Sequence, residues 1–175
     1  MPKSFGARVG KRRDAMTDFQ ALLTLLASAR VEFIIVGGAA ATAHGSARLT
    51  QDLDIVYCRT HENISRLADA LAPHKPYLRG APAGLPFSFD ERTIRNGLNF
   101  TLATDVGALD LLAEITGGGG YDDLLPHSTR LRLYGVECLC LGLEKLIYVK
   151  RAAGRVKDLE AVAELEAILE ELRGG

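Results

Sequence analysis

Apolar and polar residues recur with two different periods in the first third of the chain, and each change of period predicts a new element. The stretch TDFQALLTLLASAR places apolar residues every three to four positions, which predicts an amphipathic helix that begins in a capping box of Thr17 and Gln20. The apolar run at residues 31–36 stops at glycine and predicts a buried strand. A short alanine-rich helix is then expected over GAAATAHG, residues 38–45, and the alternation of DLDIVYC predicts a second strand from Asp52.

The middle of the chain holds one clear helix, followed by a long stretch without a regular pattern. Thr60 can cap the helix HENISRLADAL, which ends at Pro73 because proline lacks the N–H that a helix needs. Residues 73–97 mix prolines, glycines and charges and predict a long loop with one helical turn at DERTIR. The runs LNFTLAT and ALDLLAEI then predict a hairpin of two strands.

The last third of the chain predicts a second hairpin and a helical C-terminal part. Four consecutive glycines, Gly117 to Gly120, are expected to form a flexible joint. The run TRLRLYGVECLCL predicts two strands that turn near Tyr134. From about residue 142 the pattern predicts two helices that are broken near Gly154.

Together these elements predict an α/β protein of the α+β type, with a mixed, largely antiparallel sheet flanked by helices. A single domain is expected over residues 17–175, a length sufficient for one hydrophobic core. Residues 1–16 carry lysines and arginines without an apolar core and predict a flexible basic tail.

Composition narrows the class of function without specifying one. The chain has 175 residues, of which 47% are hydrophobic and 25% charged, and its formal net charge is -1. Such a balance argues against sequence-independent coating of nucleic acid, which needs a strongly basic surface. Three cysteines cannot form an even disulfide framework, and we see no apolar run long enough to cross a membrane. We therefore expect a cytoplasmic protein that does not enter the membrane.

The second predicted strand carries the most informative polar pattern, two aspartates separated by one leucine. Residues i and i+2 of a strand point to the same side, so Asp52 and Asp54 share one face while Leu53 points to the core. Like charges roughly 6.6 Å apart repel by about 2–3 kcal/mol at an effective dielectric of about 20. A Mg²⁺ or Mn²⁺ ion would turn that repulsion into binding, and Asp110 on another predicted strand offers a third carboxylate. Glu114 has the same strand parity as Asp110 and is the alternative third acid.

Gly37 and Gly38 stand between the first strand and the short helix. Backbone without side chains allows phosphate oxygens to approach closely, and the helix start supplies free N–H groups. Arg48 and Thr50 precede the aspartates and can meet a phosphate or a developing charge. Alone, a glycine pair is most often a tight turn and D-x-D a solvated strand edge, but their joint order favours a site for a nucleotide and its metal ions.

The block from VGG to DLDI resembles the signature of the nucleotidyltransferase fold, the DNA polymerase β superfamily. In that superfamily a glycine pair binds the triphosphate, two acids on the following strand bind Mg²⁺, and a third acid lies on a neighbouring strand. Among its small stand-alone members, the chain is similar to the AbiEii-like nucleotidyltransferase toxins, in which a glycine pair precedes R-x-[ST]-x-D-x-D. That motif is matched here by Arg48, Thr50, Asp52 and Asp54, and the resemblance covers about residues 31–165.

The resemblance implies a role for each matching residue. Gly37 and Gly38 would hold phosphates, and Asp52 and Asp54 would bind metal. Asp110 would be the third acid, which in the family often helps to activate the attacking hydroxyl.

A later helical segment, EKLIYVKRAAGRVKD, also resembles the family, in which a lysine precedes a basic element that ends in aspartate. Lys150, Arg155, Lys157 and Asp158 match this pattern. Lys150 and Lys157 would neutralise the triphosphate, with Asp158 orienting one of them. The alternative is a solvated charged helix face joined by salt bridges.

These observations predict a metal-dependent nucleotidyltransferase that moves a nucleoside monophosphate from a nucleoside triphosphate to a hydroxyl of RNA, a protein or a small molecule. The alternative is a catalytically silent nucleotide-binding or partner-binding module of the same fold. The family resemblance also admits a toxin–antitoxin component with a small helical or antitoxin partner. Cys138 and Cys140 are expected to be buried packing residues, because two thiols without further ligands do not make a zinc site. His44 is expected to be a structural histidine at a helix end, with contact to the nucleotide as the alternative.

Overall fold

The computed structural model describes residues 16–175, so the predicted tail lies outside the described residues except for Met16. The described chain forms one sheet of seven strands, a separate two-stranded ribbon and seven α-helices. The helices are α1 (Phe19–Ser28), α2 (Gly37–Ala43), α3 (His61–Leu71), α4 (Glu91–Asn96), α5 (Tyr121–Leu124), α6 (Leu143–Ala153) and α7 (Val156–Gly174). The strands are β1 (Phe33–Val36), β2 (Asp52–Tyr57), β3 (Tyr77–Leu78), β4 (Phe100–Thr104), β5 (Gly107–Leu112), β6 (Glu114–Ile115), β7 (Gly119–Gly120), β8 (Ser128–Leu133) and β9 (Val136–Leu141).

The main sheet is mixed and largely antiparallel, which confirms the fold class predicted from the hydrophobic pattern. Its strand order is β3-β4-β5-β2-β1-β9-β8. All neighbouring pairs in this sheet are antiparallel except β1 with β9 and β2 with β5. All four residues of β1 are buried, as expected for a strand in the middle of a covered sheet. The central strand β2 therefore lies between β1 and β5, and its polar residues meet residues of both neighbours.

The predicted hairpins and the helical C-terminal part are confirmed. The strands β4 and β5 pair antiparallel, as do β8 and β9, which turn at Tyr134 and Gly135. Gly154 ends α6 with a φ of 68°, a left-handed conformation that glycine adopts without strain, and α7 follows. None of the helices within residues 16–175 is long and apolar enough to cross a membrane.

The first helix has a different cap from the one predicted. Asp18, not Thr17, caps α1, because its side chain accepts a hydrogen bond from the Ala21 N–H at 2.9 Å. The Thr17 hydroxyl instead donates to the Gln51 carbonyl and accepts from the Ala108 N–H at 3.0 Å. Threonine and aspartate are both good helix caps, so the local sequence could not separate the two.

The expectation of a flexible joint at the four glycines is wrong. The ribbon strands β6 and β7 pair there, Glu114 with Gly120 and Ile115 with Gly119. The Gly120 N–H also donates to Asp123 at 3.0 Å, at the start of α5. Gly119 has a φ of 76°, which most other residues would adopt only with strain. The glycines thus build a tight, hydrogen-bonded ribbon.

Residues 73–97 contain more regular structure than the predicted loop with one helical turn. The turn is present as α4, which Asp90 caps by accepting from the Thr93 N–H at 2.8 Å. In addition, β3 adds an edge strand to the sheet by pairing with β4. A strand of two residues is too short to show an alternating pattern, so its sequence gave no sign of it.

Candidate active site

Two of the predicted acids face each other where β2 and β5 run parallel. Asp54 is in register with Asp110 across this pair of strands. Leu53 and Ile55, the neighbours of Asp54 along β2, are fully buried, which confirms the predicted alternation. Asp52 lies two residues before Asp54 and is also partly exposed. The sheet thus places three carboxylates on one side of two adjacent strands.

The Asp54 carboxyl is the most strongly perturbed acid of this group. Burial, followed by the negative charge of Asp110, raises the pKa of Asp54 to about 7. A hydrogen bond to Asp110 and the charge of Asp52 raise this pKa further, whereas the Gly38 N–H opposes the shift. Burial is thus the largest cause and repulsion by the neighbouring acids the second, and a bound cation would relieve the repulsion.

Glycine is required beside Asp54 for a steric reason. Val36 is in register with Asp54, so the next residue, Gly37, packs against the aspartate side chain. A Cβ at Gly37 would overlap the Asp54 carboxylate, and the φ of 62° at this position favours glycine as well. A Cβ at Gly38 would lie 2.6 Å from the Thr50 Oγ1. The glycine pair therefore leaves room for Asp54 and Thr50, while the approach of phosphates to it stays a prediction.

Arg79 is a residue of this site that the sequence did not reveal. Its Nη2 lies 2.8 Å from Asp110 Oδ1 and 3.4 Å from Asp52 Oδ2. Arg79 belongs to the segment at residues 73–97, where neither the hydrophobic pattern nor the family resemblance offered any signal. Only the pairing of β3 with β4 brings it to the acids.

A second group of charged residues lies at the junction of α6 and α7. Asp158 is only 3% exposed and accepts a hydrogen bond from the Arg155 Nε at 2.6 Å. The Lys150 Nζ lies 3.9 Å from the same carboxylate. Burial lowers the pKa of Lys150, against the opposing charges of Asp158 and Asp54. The predicted helical segment therefore forms a buried ion pair beside the acids, rather than a fully solvated face.

A cleft of about 500 Å³ lies between these two groups. Most of the predicted site residues line it: Gly37, Asp52, Asp54, Asp110, Lys150, Lys157 and Asp158. Arg155 lines it as well, and so does Glu114, the alternative third acid, from the ribbon strand β6. Asp110 is the acid that stands directly beside Asp54.

Three predicted phosphate-binding residues do not line this cleft: Gly38, Arg48 and Thr50. The Arg48 Nε lies 3.3 Å from Glu164, and its Nη1 lies 3.8 Å from Glu160, both on α7. The Thr50 hydroxyl donates to the Asp52 carbonyl at 3.1 Å. In this structure the side chains of Arg48 and Thr50 therefore stabilise the loop between α2 and β2.

The carboxylates have the right chemistry for a hard divalent cation. Mg²⁺ and Mn²⁺ prefer oxygen ligands, and Asp52, Asp54 and Asp110 supply only those. Within residues 16–175, however, no three His, Cys, Asp or Glu side chains are arranged closely enough to hold a metal ion. The Arg79 guanidinium pairs with Asp52 and Asp110 and acts as their counterion. The oxygen atoms of these residues thus suit a divalent cation. Arg79 has to move away from Asp52 and Asp110 before the cation can bind both of them.

The cysteines and His44 occupy structural positions. Cys138 and Cys140 are buried and unbridged, and burial raises the pKa of the Cys140 thiol to about 12. The His44 Nε2 lies 2.7 Å from the Leu141 carbonyl and joins α2 to β9.

No protein-family profile matches the chain, and no curated protein matches its sequence. Its fold is similar to that of the lincosamide antibiotic adenylyltransferase LnuA in the lincomycin-bound crystal structure. That similarity has a TM-score of 0.57 and 16% identity and covers 87% of this chain and 98% of that one. The fold is also similar to that of a Thermotoga maritima protein described as a nucleotidyltransferase, with a TM-score of 0.50 and 16% identity over 87% of this chain and 90% of that one. The chain therefore has the nucleotidyltransferase fold, while its resemblance to AbiEii-like toxins stays a prediction.

Proposed function

We propose that the protein is a metal-dependent nucleotidyltransferase that transfers a nucleoside monophosphate from a nucleoside triphosphate to a hydroxyl acceptor. The observation that carries this proposal is the facing pair Asp54 and Asp110, on adjacent parallel strands of a nucleotidyltransferase fold. Partly buried acids that repel each other weaken a fold unless something neutralises them. Arg79 neutralises Asp52 and Asp110, but the pKa of Asp54 is raised all the same, which supports a role for Asp54 in binding a cation.

The two sides of the cleft suit the two ends of this reaction. Divalent cations held by the three aspartates would neutralise the triphosphate and favour ionisation of the acceptor hydroxyl. On the opposite side, Lys150 and Lys157 would bind phosphate oxygens, and Asp158 would hold Lys150 in place through the ion pair described above. Gly37 would allow the phosphates to approach the start of α2 without a side chain in the way.

The proposed acceptor is defined by its chemical class, a molecule that carries a hydroxyl. Apolar residues also contribute to the lining of the cleft, namely Leu112, Ile115, Leu146, Val149 and Ala153. Apolar surface of this kind suits part of a small organic molecule or a nucleobase. The similar fold of LnuA, a lincosamide antibiotic adenylyltransferase, supports testing small hydroxyl compounds beside RNA and protein.

Transfer of label from each α-labelled nucleoside triphosphate tests the proposal. The reactions contain Mg²⁺ or Mn²⁺, and label is measured in RNA, protein and small-molecule fractions of a cell extract. Asp54→Asn keeps the shape of the side chain and removes its charge, so transfer should fall by roughly 100-fold or more. Asp69→Asn removes the same charge from the exposed face of α3 and should leave transfer unchanged.

The outcomes separate the proposal from the catalytically silent alternative. Metal-dependent label that Asp54→Asn abolishes and Asp69→Asn retains supports transfer and identifies the acceptor class. Binding of nucleoside triphosphate without label in any fraction favours a nucleotide-binding module, to which the pairing of Arg79 with Asp52 and Asp110 lends support. Absence of nucleotide binding contradicts both functions.

A role as the toxin of a toxin–antitoxin pair, acting in the cytoplasm, is a finer part of the proposal. It is supported by the resemblance of Arg48, Thr50, Asp52 and Asp54 to the AbiEii-like motif. Induced expression should then arrest bacterial growth, and Asp54→Asn should relieve the arrest. Normal growth with active transferase would remove the toxin role and leave the transfer reaction standing.

A further inference from the structure

Arg79 joins two of the three carboxylates through a single nitrogen. Its Nη2 lies 2.8 Å from Asp110 and 3.4 Å from Asp52, so both ion pairs share one N–H-bearing atom. The other terminal nitrogen, Nη1, donates to the Leu102 carbonyl at 3.4 Å. One cationic atom thus contacts both carboxylates at once.

The backbone directs Arg79 to this place. Its N–H donates to the Thr101 carbonyl at 2.9 Å, which extends the pairing of β3 with β4 by one residue. Thr101 is in register with Asp110 on the next strand, so Arg79, Thr101 and Asp110 lie side by side across the sheet. Gly80 follows with a φ of 80°, and the chain then leaves the sheet. The Arg79 side chain remains 28% exposed, so it can withdraw into solvent.

We propose that Arg79 is a positioning residue that competes with a divalent cation for Asp52 and Asp110. It neutralises the two carboxylates in the cation-free protein and has to release at least one of them when the cation binds. The reason is electrostatic, because the guanidinium and the cation would be attracted to the same two carboxylates and repel each other. The inference rests on the proposed function, since it takes Asp52 and Asp110 as metal ligands.

The test is direct titration with Mn²⁺, followed by the electron paramagnetic resonance signal of the free ion. Arg79→Gln removes the competing charge and should tighten Mn²⁺ binding by about fivefold or more, the lower end of typical coupling between ligands. Arg92→Gln removes the same charge from an exposed position on α4 and is the matched control. Its affinity should equal that of the wild type.

The outcomes distinguish this inference from the proposed function. If the wild type binds Mn²⁺ and Arg79→Gln binds it no more tightly, competition is wrong while the metal site stands. If neither protein binds Mn²⁺, both the competition and the metal-dependent reaction are contradicted. Tighter binding in Arg79→Gln and unchanged binding in Arg92→Gln support the inference.

A second variant and a second readout guard against a merely structural effect. Arg79→Lys keeps the charge but loses the planar fork, so its Mn²⁺ affinity should lie between those of the wild type and Arg79→Gln. Competition also predicts that Mn²⁺ raises the Tm of both variants more than that of the wild type. If Arg79 had only a structural role, the two variants would have a Tm lower than that of the wild type by the same amount with and without Mn²⁺. That result would overturn the proposal.

Discussion

At the scale of single residues, the account depends on Asp54. Its neighbours along the strand are fully buried, its partner across the strands is another acid, and a glycine backbone packs against its carboxylate. A carboxylate in such surroundings is held in place by the fold at the expense of stability. This arrangement is typical of groups that act on a ligand.

The raised pKa of Asp54 predicts how stability depends on pH in the metal-free protein. Between its ordinary value of 3.8 and about 7, the folded chain keeps a proton that the unfolded chain has released. This contribution to the free energy of unfolding is therefore present at low pH and is lost as pH rises through about 7.

Asp54→Asn should consequently stabilise the metal-free protein at pH values above about 7 and should have little effect on its stability near pH 3.8. The full elevation of the pKa corresponds to an upper limit of about 4 kcal/mol at about 1.4 kcal/mol per unit, and the expected gain is on the order of 1–3 kcal/mol because solvent partly screens the carboxyl. Denaturant unfolding in the presence of a chelator measures the difference, with Asp69→Asn as the control. A gain that is equal at all pH values would contradict the assigned pKa.

At the scale of elements, the junction of β1 and α2 controls the site. Gly37 is the first residue of α2, and its positive φ turns the chain directly from the strand into the helix. The turn also presses the backbone against Asp54. Strand, helix and carboxylate are therefore packed as one unit.

Gly37→Ala should destabilise the protein by two separable effects, a strained φ and a clash with Asp54. Gly80→Ala is the matched control, because Gly80 also has a positive φ but has open space where a Cβ would lie. The control should cost about 1 kcal/mol from backbone strain, and Gly37→Ala should cost at least 1 kcal/mol more. Denaturant unfolding of both variants measures the difference, and equal losses would show that the contact with Asp54 is unimportant.

The same scale shows what the sequence could and could not predict. Long periodic segments such as β2, α3 and the hairpin of β4 and β5 were predictable because burial imposes a period on their residues. The ribbon at Gly119 was not, because glycine spacing alone does not distinguish a flexible joint from a tight turn. Arg79 could not be found, since a two-residue strand at the edge of the sheet determines its position.

At the scale of the whole molecule, the formal net charge is only -1, yet the cleft brings together acidic and basic residues from different parts of the fold. The sheet contributes Asp52, Asp54 and Asp110 to the cleft lining, and the region where α6 meets α7 contributes Lys150, Arg155 and Lys157 together with the buried Asp158. A triphosphate with its metal ions has the complementary division of charge. The fold thus brings together two halves of a site that are far apart in the sequence.

Lys150→Gln should weaken the binding of a non-hydrolysable nucleoside triphosphate analogue by roughly tenfold, because one cationic contact with phosphate is lost. Lys145→Gln is the control on the same helix, because Lys145 does not line the cleft. The Lys145 Nζ instead lies 4.8 Å from the centre of the Tyr148 ring. Isothermal titration calorimetry measures both affinities. Equal weakening in the two variants would mean that the effect is general electrostatics and that Lys150 has no specific role.

The most direct test of the central claim compares two labels in the same reaction. The acceptor fraction identified with the α-labelled nucleoside triphosphate is examined again with the γ-labelled one, for the wild type and Asp54→Asn. The account predicts that α-label enters the acceptor, that γ-label leaves as pyrophosphate, and that Asp54→Asn abolishes both signals. Transfer of the γ-label to the acceptor, or equal transfer by Asp54→Asn, would contradict nucleotidyl transfer at this cleft.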